Sequence, residues 1–394
     1  MEAGLVWSAL PMNPNGDLLY FDNNATTPVD PEVLDAMMPY LRGHYGNPSS
    51  VYRIGKEAAR AMDTARGQVA EALGCEAGEV VFTSCGTESS NAAIHSALSV
   101  DRDRQHLVTT RVEHSATLKT CELLAKRGYE ITWLGVDGDG RLDLGELRDA
   151  IREDTALVSV MWANNETGVI FPVEEIATIA RERGVFLHTD AVQVVGKVPV
   201  NLGALGLQFL SLSGHKLHCP KGIGALYVNR RCRFTSYLTG GGQEGGRRAG
   251  TENVAYVVGL GKACEVAVRR LEEERVEVRA LRDAFEDGVM RAVSGVVVNG
   301  DRECRLPNTT SLSFTGVDAE TLLLLLDQNG LCCSAGSACT SGSIHPSHVL
   351  KAMGMSDDRA RSSLRFSFSR VNTMAEVERG VSMVVGAVDK VRGG

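Results

Sequence analysis

One cysteine, Cys339, lies in a segment of small residues with a glycine at each end, Gly336 to Gly342. A cysteine that serves packing has apolar neighbours and is chemically inert. The neighbours of Cys339 are serine, alanine and threonine, which offer little to pack against, and the flanking glycines allow the backbone to move. The segment predicts a thiol that moves to a substrate, although a surface turn with an incidental cysteine has the same composition.

Two polar residues at predicted strand ends indicate what such a thiol could attack. Asp190 ends one apolar stretch, and Lys216 follows another. A lysine can form a Schiff base with an aldehyde, and an aspartate can keep a pyridinium nitrogen protonated. These are the two polar requirements of pyridoxal 5'-phosphate, an electron sink. For the pair alone, a helix-capping aspartate and a surface lysine remain an open alternative.

A phosphate site is predicted where residues 84–91 follow a strand and begin a helix. Backbone amides at a helix N-terminus bind anions, and the Thr87 hydroxyl could join them. Ser213 and His215 could supply further donors, and Thr251 lies in a glycine-rich loop that could reach the phosphate. Thr87 is also a good N-cap residue, and the loop could simply be a surface loop.

Three more polar residues come after or within strand-like segments. The imidazole of His114 could stack on a pyridine ring and move protons, because its pKa is near neutral. Asn165 could bind a ring hydroxyl or a substrate carboxylate, and the guanidinium of Arg365 suits an α-carboxylate. An exposed histidine at a helix start and an arginine in a surface salt bridge are the simpler alternatives.

The elements that would position these residues alternate between strands and helices from about residue 79 to 228. Such alternation indicates a mostly parallel sheet covered by helices, in which ligands bind beyond the carboxyl ends of the strands. The expected strands are 80–83, 106–110, 129–134, 156–161, 185–189, 209–213 and 224–228, and the expected helices are 87–98, 115–127 and 173–183.

The pattern changes after about residue 271, which predicts a smaller α/β domain. It begins with an amphipathic helix at 271–290 and continues with strands at 295–298 and 310–314. Leu322 to Leu326 are expected to form the buried face of a short helix, and a last helix follows Met374. The expected division is an extension at 1–17, a segment at 18–30 that associates with the small domain, a large cofactor-binding domain at 31–270, and a small domain at 271–394 that carries the cysteine segment.

Composition disfavours several classes of protein. Lysines and arginines number 41 against 49 acidic residues, so the net charge is −8, and without a basic stripe this argues against nucleic acid as a partner. No apolar stretch approaches the length of a membrane span, and a secretory signal is not expected. The ten cysteines lack disulfide or zinc spacing. We therefore expect reduced thiols, a cytoplasmic protein and no intrinsic metal site.

Together the motifs resemble those of the cysteine desulfurases of the NifS/IscS group, within the class V aminotransferase family of fold-type I pyridoxal-phosphate enzymes. The resemblance extends over nearly the whole chain, from about residue 20 to 373, and is closest in character to NifS at residues 162–167. The motifs that carry it are Gly46-Asn47-Pro48-Ser49-Ser50, Thr83-Ser84-x-x-Thr87-Glu88-Ser89, Asn164-Asn165-Glu166-Thr167-Gly168, Asp190-Ala191-Val192-Gln193, Ser213-Gly214-His215-Lys216 and the cysteine segment.

The resemblance implies an α/β fold of the aspartate-aminotransferase type, in which a large domain has a mostly parallel, seven-stranded sheet covered by helices and a smaller C-terminal α/β domain follows. It implies a homodimer with pyridoxal 5'-phosphate as cofactor and L-cysteine as substrate. The implied reaction releases L-alanine and leaves a persulfide on Cys339. A NifU/IscU-like scaffold protein would take the sulfur for iron–sulfur cluster assembly, in nitrogenase maturation or, alternatively, in housekeeping assembly or tRNA thiolation.

The resemblance also implies a role for individual residues. Cys339 is the nucleophile and a transient ligand of an iron–sulfur cluster, Lys216 carries the cofactor, and His114 stacks on its ring and assists proton transfer. Asn165 and Arg365 bind the substrate. The implied cofactor-binding residues are Gly86, Thr87, His114, Asn165, Asp190, Gln193, Ser213, His215, Lys216 and, from the second subunit, Thr251.

Some positions depart from the family pattern, and other functions stay open. Cys85 and Cys219 stand where glycine is common, and Gln243 where histidine is common. Transamination, selenocysteine lysis and a non-catalytic scaffold are alternatives, although the presence of both Lys216 and Asp190 disfavours the scaffold. A cysteine hydrolase that pairs Cys339 with His345 or His348 is disfavoured, because a glycine-flanked segment is a poor base for a rigid dyad.

Overall fold

The computed structural model describes residues 18–336 and 346–393. Residues 1–17, the predicted extension, and Cys339 lie outside the described residues. The strands that are described form sheets of seven, three and two strands. The boundaries of the two domains stay a prediction.

The seven-stranded sheet is mostly parallel, as predicted. Its strands are β2 (Val80–Thr83), β3 (His106–Thr110), β4 (Glu130–Leu134), β5 (Thr155–Ser159), β6 (Phe186–Asp190), β7 (Phe209–Ser213) and β8 (Gly224–Val228), in the order β2-β8-β7-β6-β5-β3-β4. Only β8 runs antiparallel to its neighbours among these seven strands. The inner strands are buried on both faces because helices cover both sides of the sheet.

Helices pack around this sheet, and α3 (Gly86–Val100) lies across β5 to β8. The predicted helices 87–98, 115–127 and 173–183 correspond to α3, α4 and α6, with starts and ends within two residues. The helices of this part are α1 (Pro31–Arg42), α2 (Arg53–Leu73), α3 (Gly86–Val100), α4 (Ser115–Lys126), α5 (Leu144–Ala150), α6 (Val173–Arg183), α7 (Leu202–Leu205) and α8 (Val254–Arg269). Within residues 18–336 and 346–393, no helix has the length and apolar character that crossing a membrane requires.

The C-terminal part is built on an antiparallel sheet of three strands, in the order β12 (Ser363–Ser367), β10 (Thr309–Phe314) and β9 (Val296–Val298). A short N-terminal strand, β1 (Leu19–Tyr20), pairs in parallel with β11 (Leu331–Cys332), which joins the start of the described chain to this part. The other elements are α9 (Leu271–Ala292), β9 (Val296–Val298), β10 (Thr309–Phe314), α10 (Ala319–Gln328), α11 (His348–Ala352), α12 (Asp357–Arg361), β12 (Ser363–Ser367) and α13 (Met374–Gly393).

The leucine helix is only partly buried. Leu322 and Leu326 are fully buried, whereas the side chain of Leu324 is 63% exposed. The expectation that the whole run forms a buried face is wrong, because the helical period of 3.6 residues turns its middle residue to the opposite side.

Phe21 anchors the N-terminal segment in the apolar core of the C-terminal part. Its ring is fully buried and lies 4.7 Å from the ring of Phe368 and 5.6 Å from that of Phe285, measured between centroids. Gly380 of α13 faces this ring, and a Cβ atom there would come within 2.4 Å of Phe21 Cε2. The helix therefore requires glycine at this position.

We expect Gly380→Ala to lower the free energy of unfolding by about 1–3 kcal/mol, because the added methyl overpacks the core. Gly386→Ala in the same helix is the matched control, since a Cβ there meets no atom within 4 Å. The control should gain up to about 1 kcal/mol from helix propensity. Urea denaturation measures both variants, and equal midpoints would contradict the close contact with Phe21.

Candidate active site

A cavity of about 210 Å³ opens at the carboxyl ends of the parallel strands. Ten of the predicted site residues line it, together with six that were not predicted, Asn24, Ala25, Cys85, Met161, Ala163 and Val192. The ten are Gly86, Thr87, His114, Asn165, Asp190, Gln193, Ser213, His215, Lys216 and Arg365. The rule that placed ligands beyond the strand ends thus predicted where these side chains meet.

Lys216 follows β7 through a single helical turn, Gly214–Lys216. Its Nζ atom donates to the backbone carbonyls of Asn24 and Ala25 at 2.5 and 2.6 Å. The same N-terminal segment is fastened to the lysine turn by Thr27, whose amide and hydroxyl both donate to the His215 carbonyl at 3.0 Å. The segment therefore forms the wall of the cavity beside the lysine amine.

Asn24 is the centre of this wall and is 2% exposed. Its amide donates to Ser367 Oγ, and its carbonyl accepts from Gln193 Nε2 at 3.0 Å as well as from Lys216. Its side chain accepts from Asn308 Nδ2 and donates to Thr309 Oγ1, each at 2.9 Å. All its polar atoms are thus bonded, which fixes the carbonyl that faces Lys216.

Asp190 ends β6 and is largely buried. Its Oδ1 atom accepts from the amide of Val192 at 3.0 Å. Burial raises the pKa of Asp190, while His114 and Lys216 nearby oppose the rise. A buried carboxylate requires a partner of opposite charge. A protonated ring nitrogen in this cavity would be such a partner for Asp190.

The side-chain oxygen of Gln193 is available as a hydrogen-bond acceptor in the cavity. Its Nε2 atom is bonded to Asn24, but its buried Oε1 atom has no hydrogen-bond partner within the part of the chain that the structure describes. A buried acceptor of this kind costs free energy unless a ligand satisfies it. The ring hydroxyl of pyridoxal phosphate is a donor of the right type.

The start of α3 forms the anion-binding end of the cavity. The helix begins at Gly86 after Cys85, whose side chain makes no capping bond among the described residues. Thr87 is therefore the second helical residue, so the N-cap alternative for it is wrong. A Cβ atom at Gly86 would lie 2.8 Å from Val192 Cγ2, so only glycine leaves this cradle open. Free amides here suit a phosphate.

A salt bridge with Arg248 compensates the negative charge of Glu88 in this first turn. Glu88 accepts from the Ser84 amide at 2.7 Å and pairs with Arg248 at 2.8 Å. Burial works against the ionised form, but the bonds from Arg248 and Ser84 outweigh it and lower the pKa of Glu88. Arg248 belongs to the glycine-rich loop, from which the sequence predicted only Thr251 as a site residue. The pair fixes that loop against α3.

The rings of His215 and His114 are set by different interactions. Burial, with help from the charges of Lys216 and Lys221, lowers the pKa of His215 to about 4. His114 is the N-cap of α4, and its Nδ1 atom accepts from the Ala116 amide at 3.1 Å. A neutral His114 ring therefore carries its proton on Nε2. His114 thus stands at the start of a helix, as the simpler alternative predicted, and it also lines the cavity.

Arg365 is buried, so its alternative as part of a surface salt bridge is wrong. Its side chain is 2% exposed, and its Nη2 atom lies 2.7 Å from Asp22 Oδ1. Nη1 donates to the carbonyl of Asn165 at 2.9 Å. The Nε atom is buried and lacks a partner among residues 18–336 and 346–393. Asp22 was not predicted, because nothing in its sequence context shows a partner 343 positions away.

Two predicted residues are not brought into this cavity. Thr251 lines a neighbouring cavity together with Ser84 and Arg248. Cys339 lies outside the described residues. Across the described positions, no group of three or more acidic, histidine or cysteine side chains is arranged to hold a metal ion.

Glu113, next to His114, is completely buried. Its Oε1 atom accepts from Thr110 Oγ1 at 2.8 Å and from the Met161 amide at 2.9 Å. Its Oε2 atom has no partner in the described part of the chain. Burial raises the pKa of Glu113 to about 8. The folded protein therefore favours the protonated carboxyl.

Comparisons with known proteins agree with this site. A sequence profile of the aminotransferase class-V family matches residues 19–379. The chain is 51% identical to "Cysteine desulfurase 2" of Trichormus variabilis, over 95% of this chain and 94% of that protein. It is 49% identical to "Cysteine desulfurase NifS" of Azotobacter vinelandii, over 95% and 93%.

Solved structures are similar over comparable lengths. A structure titled "NIFS-LIKE PROTEIN" superposes with a TM-score of 0.88 and 38% identity, and covers 94% of this chain and 98% of that one. "SspA in complex with cysteine" superposes with a TM-score of 0.80 and 34% identity, and covers 89% and 99%. The predicted fold class is therefore confirmed.

We expect the contribution of Glu113 to the stability of the protein to fall as pH rises from about 4.5 to 8, because burial raises the pKa of its carboxyl from 4.5 in the unfolded chain to about 8 in the folded one. This contribution amounts to roughly 1.4 kcal/mol per pH unit in that window. Glu113→Gln lacks it, so the stability of the variant relative to the wild type should increase with pH and level off above 8.

Chemical denaturation across this pH range measures the difference. Glu122→Gln, an exposed change in α4, is the control and should follow the wild type. Parallel pH profiles for Glu113→Gln and the wild type would contradict a protonated Glu113.

Proposed function

The chain belongs to the class-V aminotransferase family and, within it, to the cysteine desulfurases, which are pyridoxal-phosphate enzymes, and we propose that Cys339 is its nucleophile and Lys216 its cofactor-bearing lysine. One observation supports the role of Lys216 above others. Lys216, Asp190, the amides that begin α3 and the Arg365 guanidinium line a single cavity. These groups match a cofactor aldehyde, ring nitrogen, phosphate and substrate carboxylate.

The residues present fit the cofactor. Asp190 would hold the ring nitrogen, Gln193 Oε1 the ring hydroxyl, and Gly86, Thr87, Ser213 and His215 the phosphate. When bound, pyridoxal phosphate supplies an electron sink for the α-carbon of the amino acid. The buried Gln193 Oε1 atom, which has no partner among the described residues, fits a donor such as the ring hydroxyl.

The chain's own groups bind the substrate and move its protons. The Arg365 Nε atom, which has no partner in the described part of the chain, would donate to the carboxylate of L-cysteine, with Asn165 beside it. The Lys216 amine, once released from the cofactor, would take the α-proton, and the Nε2–H of His114 would assist. In the structure, the carbonyls of Asn24 and Ala25 hold this amine at the cavity wall.

The sulfur step balances without an external oxidant. The Cys339 thiolate attacks the sulfur of the bound cysteine, so that an S–S bond forms and the Cβ–S bond breaks. The electron pair of the broken bond stays on Cβ, which takes up a proton, and L-alanine is released. Sulfur is oxidised by the amount that carbon is reduced, and the product on the enzyme is a persulfide.

The same family supports a proposal for partners and location. We propose a homodimer in which Thr251 reaches the phosphate of the other subunit, since within one chain it lies in the neighbouring cavity. The proposed sulfur acceptor is a NifU/IscU-like scaffold for iron–sulfur cluster assembly, and the similarity to a protein named NifS favours a nitrogenase-related role. The nine described cysteines are all free thiols, which suits a cytoplasmic location.

Replacing the nucleophile tests the proposed function. With L-cysteine, the Cys339→Ala holoenzyme should form no enzyme persulfide and release alanine at least about a hundredfold more slowly, because no other group in the chain takes over the attack. Its cofactor absorbance should not change. Cys304→Ala, which removes an exposed cysteine, is the control and should react like the wild type. Persulfide formation by Cys339→Ala would overturn the assignment.

Replacing Thr251 tests the dimer. Sedimentation should give about twice the chain mass of 42.3 kDa. Thr251→Val should raise the dissociation constant of the cofactor by about tenfold, through loss of one charge-assisted hydrogen bond. Full cofactor affinity in the variant, or a monomer that binds the cofactor, would contradict the role of Thr251.

A further inference from the structure

Glu166, in the motif Asn164-Asn165-Glu166-Thr167-Gly168, has no role in the function described so far. We propose that it is a positioning residue, which fixes the two flanks of segment 337–345 relative to the active-site cavity. This inference rests on the proposed function, because the segment includes Cys339. It concerns the described residues Glu166, Gly336 and Ser347, which we call the Glu166 clamp.

The turn that carries Glu166 is rigid. Asn164 Oδ1 accepts from the amides of Glu166 and Thr167 at 2.9 and 3.0 Å, and its Nδ2 atom donates to the Val112 carbonyl at 3.1 Å. The next carbonyl, that of Asn165, accepts from Arg365. The carboxylate of Glu166 is therefore fixed relative to the substrate-binding side of the cavity.

Both flanks of the segment meet at one oxygen of this carboxylate. Ser347 Oγ donates to Glu166 Oε2 at 2.5 Å. Gly336 lies against the same atom, because a Cβ there would be 3.4 Å from Glu166 Oε2. Two positions on opposite sides of segment 337–345 thus lie at one oxygen, to which Ser347 is hydrogen-bonded and against which Gly336 packs.

Among the described residues, the carboxylate of Glu166 has little other compensation. Glu166 is 2% exposed, and its Oε1 atom is buried without a hydrogen-bond partner in the described part of the chain. Burying such a group costs free energy, and one hydrogen bond offsets only part of it. A site that serves stability alone would favour an amide or an apolar residue here, so the carboxylate points to a role of a different kind.

The flanks are joined to groups that the reaction uses. Before the segment, Ser334 and Arg365 exchange backbone hydrogen bonds at 3.2 and 2.7 Å, and Ser334 Oγ donates to Asp22 Oδ2. After it, His348 Nε2 donates at 3.0 Å to the carbonyl of Glu113, the residue before His114. The clamp therefore fixes the positions at which the chain leaves and rejoins the cavity walls. These walls carry Arg365, which would bind the substrate, and His114, which would assist proton transfer.

The experiment must separate the clamp from helix capping, because Ser347 Oγ also accepts from the Leu350 amide at 3.2 Å as the N-cap of α11. Ser347→Ala removes both contacts. Ser356→Ala is the matched control, since Ser356 caps the equally short α12 and has no contact with Glu166 in the structure. Ser347→Thr restores a hydroxyl.

Each holoenzyme is mixed with L-cysteine, and persulfide formation in the first turnover is followed at increasing substrate concentration. Ser347→Ala should lower the rate at saturation about tenfold, because misplaced flanks reduce productive approach of the thiol. The half-saturating concentration of cysteine and the cofactor absorbance should stay unchanged. Ser347→Thr should recover most of the rate, and Ser356→Ala should match the wild type.

Glu166→Gln gives a second measurement that does not depend on the cap. It keeps the size and an acceptor oxygen but loses the charge, so the saturated rate should fall by about threefold, in line with the weaker neutral hydrogen bond. Equal rates for Ser347→Ala and Ser356→Ala, or a wild-type rate for both Ser347→Ala and Glu166→Gln, would overturn the clamp. So would a loss of cofactor absorbance alongside the rate.

The outcome for Cys339→Ala separates this inference from the proposed function. If Cys339→Ala still forms a persulfide, the proposed function fails whatever the Ser347 variants do. If Cys339→Ala is inactive while Ser347→Ala reacts at the wild-type rate, only the clamp fails.

Discussion

The hydrogen bonds of one buried asparagine, Asn24, hold the active-site cavity together. Its amide, carbonyl and side chain bind groups from the turn after β7, the turn after β6 and the C-terminal sheet at once. A residue with every polar atom satisfied in a buried site has one stable orientation. The positions of Lys216, Gln193 and the C-terminal sheet are therefore coupled, and the two sides of the cavity cannot move apart without breaking several bonds.

Charged groups beneath the cavity support the same junction. Arg370 of the C-terminal part lies 2.9 Å from Asp30 and 3.1 Å from Glu274 of α9. Lys197 donates to the carbonyl of Gln193 at 3.1 Å, and burial lowers the pKa of Lys197 to about 8. Such buried ions tolerate few substitutions, since removal of one partner leaves the other uncompensated. They add geometric precision more than stability.

The sequence was sufficient to predict the fold class and the gathering of the cavity residues, because both depend on local patterns. Short apolar strands followed by polar residues mark the carboxyl ends of a parallel sheet, and Asp190, Ser213 and His114 all follow that rule. Other features depend on contacts between distant positions. Asp22 and Asn24 have no local signal, and α8 was not predicted because its apolar, valine-rich sequence lacks a clear amphipathic period. The domain limits and the residue roles remain predictions.

The burial of the N-terminal segment has a consequence for the synthesis of the protein. Asp22 finds its partner Arg365 only 343 positions later. At ribosomal rates of about 5–20 residues per second, this segment leaves the ribosome roughly 17 to 70 s before its partner exists. The ring of Phe21 lacks its partner Phe368 for about as long, although Phe285 is made earlier. Completion of the cavity is thus a late event, and the nascent chain has an apolar, aggregation-prone end that chaperones are suited to cover.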